Sequence, residues 1–327
     1  MTAEPATRVL KASTDAIAAA AACLRAGGLV AFPTETVYGL GADAGNGEAI
    51  ARLYAAKGRP AFNPLIAHVA DAARAHRLAE FDDAANKLAG AFWPGPLTLV
   101  LQKRPGAGVA DLALAGLDSV AVRVPAHPVA NALLRTFDGP VVAPSANRSG
   151  HVSPTSATHV LNDLRGRIDI VIDAGPCTVG VEPTIVACLD EPTLLRPGGV
   201  PREAIERVLG RTLADGRVPD DEAPLAPGML SSHYAPKARL RLDVNTPHED
   251  EALLAFGAAP AFAGTTLNLS PRGDLIEAAS NLFSHLRALD ASGARSIAVM
   301  PVPHDGLGEA INDRLSRAAA PRQGTMT

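Results

Sequence analysis

Phe32-Pro33-Thr34-Glu35-Thr36-Val37-Tyr38-Gly39-Leu40-Gly41 is the stretch that decides how this chain reads. An apolar run from Gly28 to Phe32 leads into hydroxyl, carboxylate and phenol groups, and two glycines close the cluster. A strand ending in polar side chains and tight glycine turns is how open α/β sheets build ligand sites at their edge. Downstream come Lys57-Gly58-Arg59-Pro60, Asn63-Pro64-Leu65-Ile66-Ala67-His68, Ser119 to Pro125, and Pro144-Ser145-Ala146-Asn147.

The flanking pattern is α/β. Ser13-Thr14-Asp15 caps a helix through the alanines that stops at Gly27-Gly28, and Leu29 to Phe32 is then a short strand. Asn46 caps a second helix whose Ile50, Leu53 and Tyr54 share one face. It ends near Lys57, which leaves Lys57 and Arg59 at a helix exit, free to reach a ligand. Strands are predicted over 65–69, 97–102, 120–124, 141–143, 168–172, 184–188 and 194–196, and helices over 82–92, 128–136 and 201–209. The mixture predicts a sizeable mixed sheet with helices. Residues 211–237 are rich in Pro, Asp and Gly without a period and read as a linker. Beyond it, strands over 240–244, 266–269 and 297–302 alternate with helices over 249–256, 274–289 and 308–319, a small Rossmann-like unit. The domain boundaries expected are 1–210, a linker over 211–238, and 239–327.

The 327 residues are 47% hydrophobic, enough for two packed domains. A net charge of -4 gives no global electrostatic case for binding nucleic acid, and 4% aromatic content argues against a base-stacking platform. Cys23, Cys177 and Cys188 show no CxxC spacing, which fits buried thiols in a reducing compartment. No apolar stretch is long enough to span a bilayer, so a soluble cytoplasmic protein is expected.

The chain lacks GxxxxGK[ST], GxGxxG, HExxH and GxSxG. A phosphorylated ligand would have to be held by separate basic and hydroxyl side chains. Lys57, Arg59, Arg123 and Arg196 lie at predicted element ends beside Pro or Gly, and Ser145, Asn147 and Ser153 add neutral partners. Glu35 is available as a base, and His68 sits in an apolar strand. The histidines show no metal-ligand spacing, so no protein-only metal site is expected.

These motifs together resemble the Sua5/YrdC/YciO family, in its longer Sua5-type form. The resemblance rests on residues 32–41, on Lys57-Gly58-Arg59-Pro60 with Asn63-Pro64-Leu65-Ile66 and His68, and on Pro94-Gly95-Pro96-Leu97-Thr98. It continues through Val122-Arg123-Val124-Pro125, Ala143 to Gly150, Thr184-Ile185-Val186 and Leu195-Arg196-Pro197-Gly198-Gly199. Ala226-Pro227-Gly228-Met229 and Ser232-His233-Tyr234-Ala235-Pro236 look like the signature that joins the two domains of that form. The C-terminal unit matches in position and outline only.

The resemblance implies synthesis of threonylcarbamoyl-AMP from L-threonine, bicarbonate or CO2, and ATP with Mg2+. Pyrophosphate and water leave, and the product serves the modified adenosine beside the anticodon of many tRNAs through a tRNA threonylcarbamoyl transferase complex. It leaves direct tRNA binding open. It implies threonine contacts at Thr36, His68, Arg123 and the backbone of Ala143. ATP contacts are implied at Arg59, Asn63, Ser119, Ser145, Asn147, Ser153, Arg196 and Tyr234, with Lys57 and Arg59 as the catalytic cations. Tyr234 is placed to act as a lid over a carbamate that water would decompose.

One run departs from the family pattern Gly-Val-Glu-Ser-Thr, whose serine hydroxyl meets threonine. Here Gly180-Val181-Glu182-Pro183-Thr184 puts a proline there, so Thr184 or water replaces the contact, or threonine binds more weakly. Rival readings are a non-catalytic RNA-binding module and a carbamoyl transferase of the hydrogenase-maturation type; the acidic balance opposes the first, and the lack of zinc-finger cysteines the second.

Overall fold

The computed structural model describes residues 6–216, 225–227 and 233–321. Gly228, Met229 and Ser232 of the joining signature lie outside the described residues. The chain opens with β1 (Arg8–Lys11) and α1 (Thr14–Arg25), whose cap Ser13 accepts from the Ala16 N–H. β2 (Val30–Pro33) and β3 (Tyr38–Asp43) form an antiparallel hairpin across the Thr34–Val37 turn. α2 (Gly47–Lys57) starts at Asn46, which accepts from the Glu48 and Ala49 N–H groups, and stops at Gly58 with φ 60°. β4 (Ile66–His68), α3 (Ala72–Leu78), α4 (Asp83–Phe92) and β5 (Leu97–Gln102) follow. Then come α5 (Asp111–Leu114), β6 (Ser119–Arg123), α6 (Pro128–Phe137), β7 (Val141–Val142) and α7 (Ala157–Leu164). β8 (Ile170–Asp173), β9 (Thr184–Ala187), β10 (Thr193–Arg196), α8 (Arg202–Leu209) and β11 (Ala214–Asp215) complete this part.

All eleven strands join one sheet in the order β1-β8-β2-β3-β7-β4-β6-β5-β9-β10-β11, with parallel and antiparallel neighbours mixed, as expected. The two sides of its centre are treated differently. Leu65, Ala67, Leu99, Leu101, Val120, Val122 and Val186 face a large core shared with α2, α4 and α8. The opposite face carries Ile66, Val100, Ala121, Ile185, Ala187 and Leu195, and Ala226 from the joining segment packs onto it. That sparsely covered face is where the cleft lies.

β3 was expected as glycine turns, and it is a strand. Gly39 and Gly41 are there for close packing: a Cβ at Gly41 would sit 2.9 Å from the Phe32 ring, and one at Gly39 3.2 Å from the Ala143 Cβ. The site is thus built across a sheet face rather than at a strand-end turn.

The second sheet is parallel throughout, in the order β12 (Arg239–Arg241), β15 (Ser296–Val299), β13 (Ala252–Ala255), β14 (Thr266–Asn268), with α9 (Leu275–Ala291) and α10 (Leu307–Ala319). The helix expected over 249–256 is the strand β13. Ala252 to Ala255 are buried on both faces, and a short apolar run has no period that separates strand from helix. One core cluster crosses between the two sheets: Val37, Val152 and Val181 pack with Tyr234, Leu282 and Phe283. Ion pairs cross as well, Arg202 to Glu309 at 2.7 Å and Arg314 to Glu182 at 2.9 Å.

Candidate active site

The cleft's interior volume is about 40 Å³, and its mouth opens to solvent. Its floor is Gly39 of β3, Ile66 and His68 of β4, Arg123 of β6, and Ala143-Pro144-Ser145 following β7. Thr34, Val37, Arg59, Glu182, Pro183 and Arg196 form its sides, and Pro227, His233 and Tyr234 close it from above. Strand register explains the floor. β4 and β6 are parallel with His68 beside Arg123, so both side chains leave the sheet on the same face. Gly39 bridges to Ser145, which brings the Ser145 loop over the same surface.

At one end, Arg123 is 2% exposed and its Nη2 meets Glu35 Oε1 at 2.5 Å, while Nε donates to Gly95 O. Glu35 Oε2 accepts the Ala126 N–H. Both carboxylate oxygens are therefore engaged, and Glu35 acts as the counter-charge of Arg123, not as a free base. Arg123 Nη1 has no hydrogen bond among the described residues and is available for an anion. Thr34, not Thr36, lines the cleft; the two hydroxyls lie 2.8 Å apart, and Thr34 holds the turn through Val37.

His68 is buried with Nδ1 3.1 Å from Ile66 O, and burial, then Arg123, drives its pKa down to about 3. It is a neutral imidazole at physiological pH. A folded pKa below the unfolded value means stability is complete above pH 6.5 and is lost as pH falls toward 3. Between those limits the wild type should lose stability about 1.4 kcal/mol per pH unit more steeply than His68→Gln. Urea midpoints measured across that range check this; parallel pH profiles would refute it.

At the other end, the structure corrects the reading of Lys57. It is 3% exposed and does not reach the cleft. Its Nζ donates to Ser145 O and Asn147 O, each at 2.5 Å, and to Asn147 Oδ1 at 3.4 Å. Asn147 Oδ1 also accepts from Ser145 Oγ at 2.6 Å, and Asn147 Nδ2 donates to His151 O. The paired motif is thus one hydrogen-bonded knot that holds Ser145 at the floor. Arg59 does line the cleft, with Nε and Nη2 donating to Asn63 O and Pro64 O. Burial lowers its pKa to about 10, so it stays charged. Asn63 is buried with Oδ1 unpartnered among the described residues, and Ser119 begins β6, four residues before Arg123. Neither lines the cleft.

Arg196 points Nε and Nη2 at Pro183 O and Nη1 at Pro227 O, tying the joining segment to the wall. Gly198 lets this loop lie on that wall: a Cβ there would come within 2.4 Å of Glu182 O, Pro183 C and Thr184 N. The Thr184 hydroxyl donates to Val200 O and accepts the Val200 N–H, so it is occupied within the fold and faces no ligand. The idea that Thr184 replaces the missing serine is therefore withdrawn.

The motif reading passed over Glu182 and His233 as site residues. Glu182 accepts from the Ser153 hydroxyl and from Arg314 Nε, and although burial opposes its charge, Arg314 and Arg196 hold its pKa below the usual range. Ser153 is fully buried and acts through Glu182. His233 has Nδ1 unpartnered among the described residues, and burial followed by Arg59, Lys57, Arg196 and Arg314 pushes its pKa far down. Its signal was available: a His-Tyr pair inside an otherwise aperiodic linker. Tyr234 is 1% exposed, with its ring 5.5 Å from that of Phe283 and its backbone at φ 62°. It is packed as a wall that closes the cleft.

Such a cleft suits a polyanion beside a small carboxylate. Arg59, Arg123 and Arg196 face it, and the carboxylates Glu35 and Glu182 are already engaged by arginines. Among the described residues, no side chain on its surface is arranged as a covalent nucleophile with an adjacent base. A family model described as "Telomere recombination", covering Sua5, YciO and YrdC, matches residues 22–198, and one described as "Threonylcarbamoyl-AMP synthase, C-terminal domain" matches residues 200–320. Threonylcarbamoyl-AMP synthase of Bacillus subtilis is 42% identical over 331 residues, which cover 96% of this chain and 95% of that protein. The Pyrococcus abyssi protein of the same name is 43% identical over 93% of this chain and 94% of its own length. A crystal structure of P. abyssi Sua5 complexed with L-threonine superposes with a TM-score of 0.87 at 39% identity, over 96% of this chain and 97% of that one.

Proposed function

This chain belongs to the Sua5/YrdC/YciO family, and we infer from that membership and from the cleft that it is an L-threonylcarbamoyladenylate synthase. It is a nucleotidyltransferase that takes threonine and ATP to threonylcarbamoyl-AMP and pyrophosphate for tRNA modification. The observation that carries the reading is the row of arginines over an apolar sheet face, in a chain matched over 96% of its length by a synthase. The non-catalytic RNA-binding reading is not favoured.

In this proposal the carbon comes from bicarbonate or CO2. The threonine amine adds to it, and a carbamate oxygen attacks the α-phosphorus of ATP. The P–O bond to pyrophosphate breaks; with bicarbonate as the carbon source one water leaves overall, and with CO2 a proton leaves instead. No covalent enzyme intermediate is needed, so the protein orients reactants and neutralises charge. Arg123, with His68, the Ala143 backbone and Thr36 acting behind Thr34, holds threonine. Arg59, Ser145, Arg196 and Tyr234 hold ATP directly, with Asn63 and Ser119 flanking them, and Asn147, Ser153 and Lys57 support that surface from behind. Mg2+ would come with ATP: Glu35 and Glu182 are each paired with an arginine, so it would be held by phosphate oxygens and water and would neutralise phosphate charge. In this reading residues 1–210 together with β11 make the catalytic domain, the rest of the chain to residue 238 is the linker, and 239–327 is the C-terminal domain. The product passes to a tRNA threonylcarbamoyl transferase complex in the cytoplasm; no described helix is long and apolar enough to cross a membrane.

The test is pyrophosphate release from ATP with threonine and bicarbonate each omitted in turn. Release that requires both is expected; release indifferent to threonine would reject the assigned substrate. Tyr234→Ala opens the cleft to water, so carbamate is lost before it attacks ATP and turnover at saturating ATP should fall several-fold, as expected where closure protects a labile intermediate. Unchanged turnover would remove Tyr234 from the mechanism.

A further inference from the structure

We propose that Arg314, on α10 of the C-terminal domain, is a positioning residue of the synthase cleft: it holds the Tyr234 ring and the Glu182 carboxylate in place, so that the C-terminal domain completes the ATP side of the site. The proposal rests on the reading of that side as the ATP site.

Arg314 has no exposed surface. Its Nε donates to Glu182 Oε2 at 2.9 Å and its Nη1 to Pro197 O at 2.8 Å and Asp313 Oδ2 at 2.7 Å. Pro197 follows Arg196, and Glu182, Arg196 and Tyr234 all line the cleft. The guanidinium carbon lies 5.4 Å from the centre of the Tyr234 ring. One side chain therefore touches three neighbouring parts of one wall. The contacts to the wall are not local: Glu182 is 132 and Pro197 117 residues away in sequence.

Two features go beyond a simple staple between domains. Tyr234 has φ 62°, a conformation that a bulky residue keeps only where its surroundings impose it, and such residues cluster at functional sites. Its ring is held between Phe283 and Arg314. A buried arginine is also a costly way to fill space, because an apolar side chain of similar volume packs as well without desolvating a charge. The guanidinium fork fixes geometry at Glu182 and at Pro197 O together, which neither an apolar side chain nor a lysine reproduces.

The experiment uses the full-length protein and measures the affinities of a non-hydrolysable ATP analogue and of L-threonine by calorimetry, with Tm alongside. Wild type must first bind the analogue; failure there would overturn the ATP reading itself and leave the cleft's nucleotide role refuted, separately from the role of Arg314. Arg314→Lys keeps the charge and loses the fork. It should weaken analogue binding about tenfold while threonine affinity stays within about twofold. Because removal of the charge alone strands Glu182, the charge-free pair Arg314→Met with Glu182→Gln is the second variant, and it should show the same ATP-selective loss. In a Tyr234→Ala background, Arg314→Lys should change analogue affinity less than about twofold, since coupled residues are not additive. Unchanged analogue affinity in Arg314→Lys, or equal losses for both ligands in step with Tm, would overturn the proposal and leave Arg314 as an interdomain staple.

Discussion

Arg123→Gln will raise the KM for threonine by about 100-fold or more while leaving the KM for ATP within a few-fold. The carboxylate of an amino acid placed over His68 and Ala143 meets the free face of this guanidinium, and charge-assisted hydrogen bonds contribute about 1.5–3 kcal/mol each, with two in a fork. Every 1.4 kcal/mol is a factor of ten, so loss of one fork reaches the hundredfold range. Stability will suffer as well. Glu35 is 8% exposed and would remain as a buried carboxylate without its partner, at a cost of about 3–5 kcal/mol. Arg123→Gln with Glu35→Gln separates the two effects: the urea midpoint should recover, and the threonine KM should not. Steady-state pyrophosphate release with threonine titrated, beside urea unfolding, makes the comparison. A threonine KM within threefold of wild type in Arg123→Gln would remove this residue from substrate binding.

What could be read along the chain was whatever is encoded locally. Asn46 and Gly58 mark the ends of α2, and both sit where caps belong. Asp274 likewise caps α9 through the Ile276 and Glu277 N–H groups. Leu97 to Gln102 is a strand with the boundaries expected. Failures came where tertiary packing overrode a local signal. The glycines of β3 read as turns because nothing in the sequence reveals that Phe32 and Ala143 press on them. β13 read as a helix because Ala and Leu are good helix formers and burial on both faces removes the alternation. The site divides in the same way. Arg59, Arg123 and Arg196 were legible as basic groups at element ends, Ser145 as a neutral partner and His68 through the family resemblance, and all five line the cleft. Glu182 with Arg314 was not, because it joins parts of the chain that meet only through the fold. Thr184 and Lys57 carried the correct residue types, but burial turned both toward the protein.

That inward turn of Lys57 leads to the second large effect. Burial, and after it Arg59, draws its pKa well below the usual lysine range, yet its three oxygen acceptors match the three protons of the ammonium form. Ser149 N–H closes the knot onto Lys57 O at 2.8 Å, so the 145–149 loop is held to the end of α2 at both side chain and backbone. Lys57→Met keeps the apolar stem and removes the ammonium. Asn147 O then lacks a donor, while Ser145 O keeps the Asn147 N–H and Asn147 Oδ1 keeps the Ser145 hydroxyl, so the stability loss should be about 1–3 kcal/mol. Ser145 loses its fixed place on the cleft floor, and kcat/KM for ATP should fall about 100-fold or more, since misplacement by about 1 Å is enough for such a loss. Arg is no substitute: a planar fork in place of a compact ammonium cannot meet three converging oxygens, so Lys57→Arg should fail nearly as badly. A residue that contacted phosphate as a point charge would behave otherwise, with Lys57→Arg retaining most activity and Lys57→Met losing ATP affinity without loss of stability. Urea unfolding and ATP titrations on these two variants distinguish the knot from the contact. Wild-type stability in Lys57→Met would show that the knot does not hold the loop.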